Sequence, residues 1–263
     1  MNYTLNIKGR LLDLNEPRVM GILNATPDSF YAGSRRQTEH DIAGRADEIV
    51  AQGGSFIDVG AYSTRPGAQE VSVQEEISRL RMALGVVRRV QPDIPLSVDT
   101  FRADVARMAV EEYGADIIND VSEGADAEMF RMVSRLRVPY ILMSVQKDLR
   151  HSLMAFAQKV QMLRDMGQKD IILDPGFGFG KTLDDNYRLM NALDRLQVMQ
   201  LPVLVGVSRK SMIYKLLATT QEKALNGTTV LNTVALMKGA SILRVHDVKE
   251  AIETIRIYDR IRN

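Results

Sequence analysis

The stretch DIILDPGFGFGKT, Asp170 to Thr182, joins a short apolar run to a carboxylate, Asp174, and then to three glycines at alternate positions. Two phosphate-binding readings fail on spacing. A Walker A loop needs a glycine five positions ahead of its Gly-Lys pair, and counting back from Gly180-Lys181 reaches Pro175. The dinucleotide fingerprint G-x-G-x-x-G fails as well, because Gly176, Gly178 and Gly180 are evenly spaced. What remains is a strand that ends in a carboxylate, followed by a loop with little side-chain bulk. Such a loop lets a flat ligand approach the backbone while Asp174 hydrogen-bonds its edge.

The same unit recurs on both sides of this stretch. RVMGIL (18–23), FIDV (56–59), PLSV (95–98), DIIN (116–119), PYILM (139–143), DIIL (170–173), PVLVGV (202–207) and SILRV (241–245) read as strands. They are continuous rather than alternating, as in a parallel sheet buried on both faces. Helical repeats lie between them. Ile42, Ala46, Ile49 and Val50 share a face before Gly53-Gly54, and Ile77, Leu80, Leu84 and Val87 share another before Pro92. Repeated β-then-α units over a chain of 263 residues predict an α/β fold, a (β/α)8 TIM barrel. A doubly wound open sheet has the same repeat, and periodicity does not show closure. Around Gly9-Arg10 the segment MNYTLNIKGRLLDLNEP predicts a short N-terminal β-hairpin. With no composition shift or linker, residues 1–263 are expected to form a single domain.

Composition narrows the function classes. A net charge of +1 gives no broad field for nucleic acid or a membrane surface. The lack of cysteine excludes disulfides and thiolate metal sites and fits a reducing compartment, so a cytoplasmic protein is expected. No apolar run approaches the roughly 20 residues that span a bilayer.

In a barrel, chemistry sits on the loops that follow the C-terminal ends of the strands. Polar residues gather there: NATPDSF (24–30), AYSTRPG (61–67), Asp99-Thr100, Asn119-Asp120, Met143-Ser144, Asp174, SRKS (208–211), and Arg244, His246 and Asp247. Any one of them is explained equally well as a helix cap; the whole set points to an active site at that mouth. Asp99 and Asp174 are acceptors for a ligand edge rich in N–H donors, such as an aminopyrimidine, and Asn119 offers donor and acceptor. Lys210 answers a ring carbonyl or nitrogen and keeps the two carboxylates ionised. Arg65, Arg244 and His246 form a separate cationic set suited to an anionic leaving group.

In the order NATPDSF, STRPG, SVDT, INDVS, LDPGFGFGKT, GVSRKS and RVHDV, the chain resembles the dihydropteroate synthases, the folate-pathway enzymes that sulfonamides inhibit. The resemblance covers nearly the whole length. It implies condensation of dihydropterin-methyl diphosphate with 4-aminobenzoate, giving dihydropteroate and diphosphate. It also implies a pterin pocket of Asp99, Asn119, Asp174 and Lys210, lined by Met143, Phe179 and Gly206, with Arg244 packed on the ring. Asn24 is then expected to help hold Mg2+ on the diphosphate. Arg65, Arg244 and His246 grip its oxygens, with Thr64 close by, and Ser211 beside Lys210 receives the aminobenzoate carboxylate. On the loop after the first strand, Asp28 faces a pterin-stabilised cation, while Phe30 and Pro66 close the aminobenzoate pocket against water. A homodimer through the helices after the last two strands is implied too, with Leu216, Val234 and Met237 as apolar positions for it.

One departure stands out. The family carries a histidine behind the methionine of the fifth strand, where this chain has Ser144 in ILMSVQKDLR. Two other readings therefore stay open. A methyltransferase-type pterin-binding barrel shares the carboxylates and Asn119 but has no use for Asn24, Arg65 and SRKS. A catalytically silent pterin-binding relative is suggested by Ser144 alone.

Overall fold

The computed structural model describes residues 3–25, 35–62 and 70–262. A hairpin comes first: β1 (Thr4–Ile7) and β2 (Arg10–Asp13) pair antiparallel across Lys8-Gly9. Both turn residues have positive φ, 49° and 83°, the geometry that matches strand twist in a two-residue hairpin loop.

The remaining strands are β3 (Arg18–Asn24), β4 (Phe56–Gly60), β5 (Leu96–Asp99), β6 (Ile117–Asp120), β7 (Tyr140–Met143), β8 (Ile171–Asp174), β9 (Leu204–Val205) and β10 (Ile242–Val245). They form one parallel sheet in the order β8-β7-β6-β5-β4-β3-β10-β9. Leu173 of β8 bridges Val203, just ahead of β9, and donates its N–H to Pro202 O at 2.9 Å. That contact joins the two edges of the sheet, so the strands make a TIM barrel and not an open doubly wound sheet.

Helices α1 (Arg35–Ala51), α2 (Val73–Val90), α3 (Ala103–Tyr113), α4 (Met129–Leu136), α5 (Leu149–Asp165), α6 (Leu183–Asn191), α7 (Ser211–Leu216), α8 (Leu225–Met237) and α9 (Val248–Arg262) lie between and after the strands. Local sequence sets their ends. Ser72 caps α2 by accepting the Glu75 N–H, Thr182 and Asp185 form a reciprocal capping box on α6, and Gly114 ends α3 at φ 61°. Among the described residues no helix is long and apolar enough to cross a membrane.

Side chains alternate along each strand, so residues two apart share a face. Outward residues such as Val19, Ile57, Val98, Leu142 and Leu243 pack in the main core with the helices. Inward residues at the N-terminal end form a second cluster, with Met20, Phe56, Ile117, Ile141, Ile172, Leu204 and Ile242 packed against Leu5 and Leu14 of the hairpin segment. The hairpin therefore plugs the floor of the barrel. Polar ties hold it there: Lys8 Nζ pairs with Asp116 at 2.9 Å and donates to Gly114 O at 2.8 Å, and the Asn6 N–H donates to Asp170 Oδ1 at 3.3 Å. Asp116 and Asp170, which precede β6 and β8, thus serve the floor, while Asp99 and Asp174, which end β5 and β8, lie at the other end of the barrel.

Candidate active site

Two residues further along the same strands, the inward face changes character. Phe56 gives way to Asp58, Ile117 to Asn119, Ile141 to Met143, Ile172 to Asp174, Leu204 to Gly206 and Ile242 to Arg244. Arg244 is the hub of one half of this layer. Its Nε donates to Asp58 Oδ2 at 2.6 Å and its Nη2 to Asp99 Oδ2 at 2.7 Å. Asn119 Nδ2 donates to the same Asp58 oxygen at 3.1 Å. This extends the sequence reading on one point. Sequence grouped Arg244 with the cations Arg65 and His246; in the structure it also reaches into the barrel between two carboxylates.

Asp58 was missed from sequence, where it read as one letter of the strand FIDV. The signal was present, since a lone carboxylate two residues beyond Phe56 must share that residue's inward face. Asp58 is fully buried, and its Oδ1, the Asn119 Oδ1 and the Ser97 hydroxyl have no hydrogen-bond partner among the described residues. Buried polar atoms are ordinarily satisfied, so acceptors left open at this depth point to a ligand.

The glycine loop builds the other half. Asp174 Oδ1 accepts the Gly176 N–H at 2.7 Å, and Gly178 N donates to Asn186 Oδ1 at 2.7 Å. Lys210 arches over this loop, donating to Phe177 O at 2.5 Å with its ammonium 4.8 Å from the Phe179 ring centroid. The bare backbone has a steric reason. A Cβ at Gly178 would lie 3.1 Å from Lys210 Cδ, and one at Gly176 only 2.1 Å from Ser144 O. Positive φ at Gly176, Gly178 and Gly180, 70°, 83° and 62°, makes glycine the residue that fits this course.

Burial sets the electrostatics. It lifts Asp99 to about 7, with repulsion from Asp58, Glu76 and Asp120 adding to it and Arg244 opposing. Burial also raises Asp174, against the pull of Lys210 above all. Lys210 is pulled down to about 8 by burial, with Asp174 resisting. Burial disfavours the Arg244 cation, but Asp58 and Asp99 together overcome that and hold it above the ordinary arginine range. Lys210 therefore acts mainly on Asp174, while the cation paired with Asp99 is Arg244; sequence reasoning gave both carboxylates to Lys210.

Other predicted residues sit around this layer. Met143 is buried beside the glycine loop, 3.2 Å from where a Gly176 Cβ would stand, and a Gly206 Cβ would come within 3.8 Å of Arg244 Cβ and 3.9 Å of Lys210 Nζ. Asn24 ends β3 and Ser211 opens α7, both half-buried. His246 follows β10, its N–H bonded to Ser208 Oγ at 3.1 Å and its carbonyl accepting Arg45 Nη2 at 2.5 Å. Asp28, Phe30, Thr64, Arg65 and Pro66 lie outside the described residues. Two polar strand-end residues prove structural. Asp120 accepts the Tyr140 hydroxyl at 2.6 Å, and Asp247 takes Arg209 Nη2 at 2.8 Å.

Among the described residues no group of three or more His, Asp or Glu side chains could hold a metal ion. Asn24 offers a single amide oxygen. That fits an ion such as Mg2+, which binds through few protein ligands and otherwise through substrate phosphates and water.

Comparison with known proteins gives the family of the chain. A family model described as pterin binding enzyme matches residues 20–246. The dihydropteroate synthase of Escherichia coli (strain K12) is 37% identical, across 96% of this chain and 94% of its own length. The solved structure of Xanthomonas albilineans dihydropteroate synthase with 4-aminobenzoic acid superposes with a TM-score of 0.92 at 35% identity, covering 100% of this chain and 99% of that one. The same enzyme in complex with 7,8-dihydropteroate gives 0.88 at 33% identity, covering 99% of each chain.

Proposed function

The chain belongs to the dihydropteroate synthase family, and on that premise we propose how its residues share the family's reaction. The reaction joins (7,8-dihydropterin-6-yl)methyl diphosphate to 4-aminobenzoate, giving 7,8-dihydropteroate and diphosphate for folate biosynthesis. A C–O bond to the diphosphate breaks, a C–N bond forms, and the arylamine gives up one proton.

The open, buried oxygens of Asp58 and Asn119 carry the assignment of the pterin pocket. With Asp99 and Asp174 they offer acceptors to the N–H groups of an aminopyrimidine edge, and Lys210 supplies a donor for the ring carbonyl or nitrogen. Met143, Phe179 and Gly206 line the ring's faces. An aromatic amine is a weak nucleophile, so the demanding event is departure of diphosphate from the pterin methylene. Charge complementarity at the leaving group is the main lever. Arg244 spends Nε and Nη2 on Asp58 and Asp99, which leaves Nη1 for the ligand. To Arg65 and His246 we assign the same diphosphate oxygens, and to Thr64 a contact with the substrate there. Asn24 would help hold Mg2+, which when bound would supply further neutralisation of the leaving charge. Asp28 faces the positive charge that develops on the methylene. Ser211 receives the aminobenzoate carboxylate, and Phe30 and Pro66 keep water from capturing the carbon.

Leu216 of α7, Val230 and Met237 of α8, and Ile257 and Ile261 of α9 expose apolar surface, which supports a homodimer through these helices; Val234 instead packs against the core. Sedimentation of the protein as a monomer at micromolar concentration would refute it. The absence of cysteine and the net charge of +1 favour a cytoplasmic enzyme that does not bind nucleic acid.

The deciding experiment is turnover with both substrates and Mg2+, following diphosphate and dihydropteroate together. Matched release of the two products is expected. Diphosphate without dihydropteroate means that water captures the pterin carbon, and no release from folded protein overturns the assignment.

A further inference from the structure

Glu123, in the loop after β6, is buried at φ 63°, a left-handed conformation that suits glycine and strains a glutamate. Its carboxylate is turned inward. Oε1 accepts the Ser144 hydroxyl at 3.2 Å, Oε2 accepts Gln146 Nε2 at 2.9 Å, and Lys159 Nζ stands 3.6 Å from Oε2 while donating to the Glu123 carbonyl. Ser144 is fully buried, 3.1 Å from Ser152 Oγ, and accepts the Gln146 N–H at 3.2 Å. A residue this small at the end of β7 leaves the space that the Glu123 carboxylate occupies.

The backbone of Ser144 carries the connection onward. Its N–H donates to Asp174 O at 2.8 Å, and its carbonyl presses against Gly176 closely enough to exclude any Cβ there. Lys181 closes the contact. Its ammonium donates to Ser144 O at 3.3 Å, Gly176 O at 2.9 Å and Phe179 O at 3.3 Å. The three protons of the ammonium thus meet three carbonyl oxygens, two of them on the glycine loop and one on the loop after β7. The lysine that suggested a phosphate cradle in the sequence is folded back on its own loop. That loop in turn supplies the N–H that orients Asp174 and the Phe177 carbonyl that holds Lys210.

We propose that Glu123 and Lys181 are positioning residues for the pterin pocket: through Ser144 they clasp the glycine loop to the end of β7 and so fix the aim of Asp174 and Lys210. This rests on the function proposed above for those two residues. Neither Glu123 nor Lys181 touches the reacting atoms. Their removal loosens a preformed site, which weakens ground-state and transition-state binding of the pterin alike.

The test is steady-state kinetics of Glu123→Ala, Glu123→Gln and Lys181→Met beside the unmodified protein, with each substrate varied at saturation of the other. Glu123→Ala and Lys181→Met are expected to raise the KM for the pterin diphosphate by about tenfold, with kcat changed by less than about threefold. The KM for 4-aminobenzoate stays within about twofold. Glu123→Gln keeps an acceptor for Ser144 and recovers most of the loss. Unchanged pterin KM in Glu123→Ala and Lys181→Met overturns the proposal, and so does a fall in folded fraction that leaves KM alone. Where Glu123→Ala does not fold, Lys181→Met decides. Absence of turnover in the unmodified protein defeats the assigned function instead, so the two failures are distinct.

Discussion

The floor and the mouth of this barrel are made by the same strands, two residues apart, and share almost nothing chemically. At the floor, Phe56, Ile117, Ile172 and Ile242 are fully buried among apolar neighbours and are sealed by Leu5 and Leu14. At the mouth, Asp58, Asn119, Asp174 and Arg244 continue the same faces with charge and open hydrogen-bonding capacity. Burying a side chain such as Phe56 contributes about 1.5–3 kcal/mol, whereas burying a carboxylate opposes folding unless a partner offsets it. The lower layer therefore stabilises an upper layer that is tolerable because Arg244 neutralises Asp58 and Asp99 and Lys210 opposes Asp174. Stability and chemistry are stacked along one axis.

The sharpest way to break that division is Arg244→Ala. It leaves Asp58 buried without its cation, so a loss of about 3–5 kcal/mol in stability is expected alongside a fall in kcat/KM of at least about 100-fold. Chemical denaturation with parallel kinetics measures both, and near-normal turnover at unchanged stability would remove Arg244 from its central place. Phe56→Ala should lower stability by a similar amount, about 3–5 kcal/mol, and yet leave kcat/KM per folded molecule within a few-fold. Specific activity that collapses in the folded fraction would show that floor and mouth are not separable.

Asp174→Asn is smaller and one-sided. The amide oxygen still accepts the Gly176 N–H, so the melting temperature should hardly move. Loss of the charged acceptor should weaken pterin binding by about 2 kcal/mol, on the order of 30-fold in Kd by calorimetry. Equal affinity would detach Asp174 from the pterin.

The mildest probe is pH. Below about 7 Asp99 takes up a proton and loses its strength as an acceptor, and above about 8 Lys210 loses its charge. The value of kcat/KM for the pterin diphosphate should therefore peak between about 7 and about 8 and fall on both sides. In Lys210→Met the alkaline limb should vanish, and a profile flat from about pH 6 to about pH 9 would refute both assignments.

Much of this was legible in the chain before any coordinates. Continuous apolar runs gave the strands, and the polar residues at their ends gave the mouth, because strand period and barrel direction are local properties. Partner choice was not local. Arg244 reaches Asp58 and Asp99 across 186 and 145 positions, so which carboxylates it pairs with could not be read from spacing. Nor could Glu123 announce itself. A glutamate forced to positive φ carries no composition signal, and its purpose becomes visible only beside Ser144. Asp116 and Asp99 make the same point from the other side: identical residues, one opening a β-segment and one closing it, serve the floor and the mouth respectively.

The closure of the barrel bears on how the molecule breathes. Between β8 and β9 the seam is one bridge, Leu173 to Val203, where β3 and β4 share a ladder of five pairs and β7 and β8 one of four. Amides along that seam should exchange with solvent sooner than those of β3 and β4, as the least cross-linked unit opens first. Asp174 lies on one side of the seam and Lys210 on the other. A flat ring gripped by both becomes the missing rung of the ladder. On the proposed assignment of these two residues, substrate would act as a suture, and the barrel should be tightest when it is occupied.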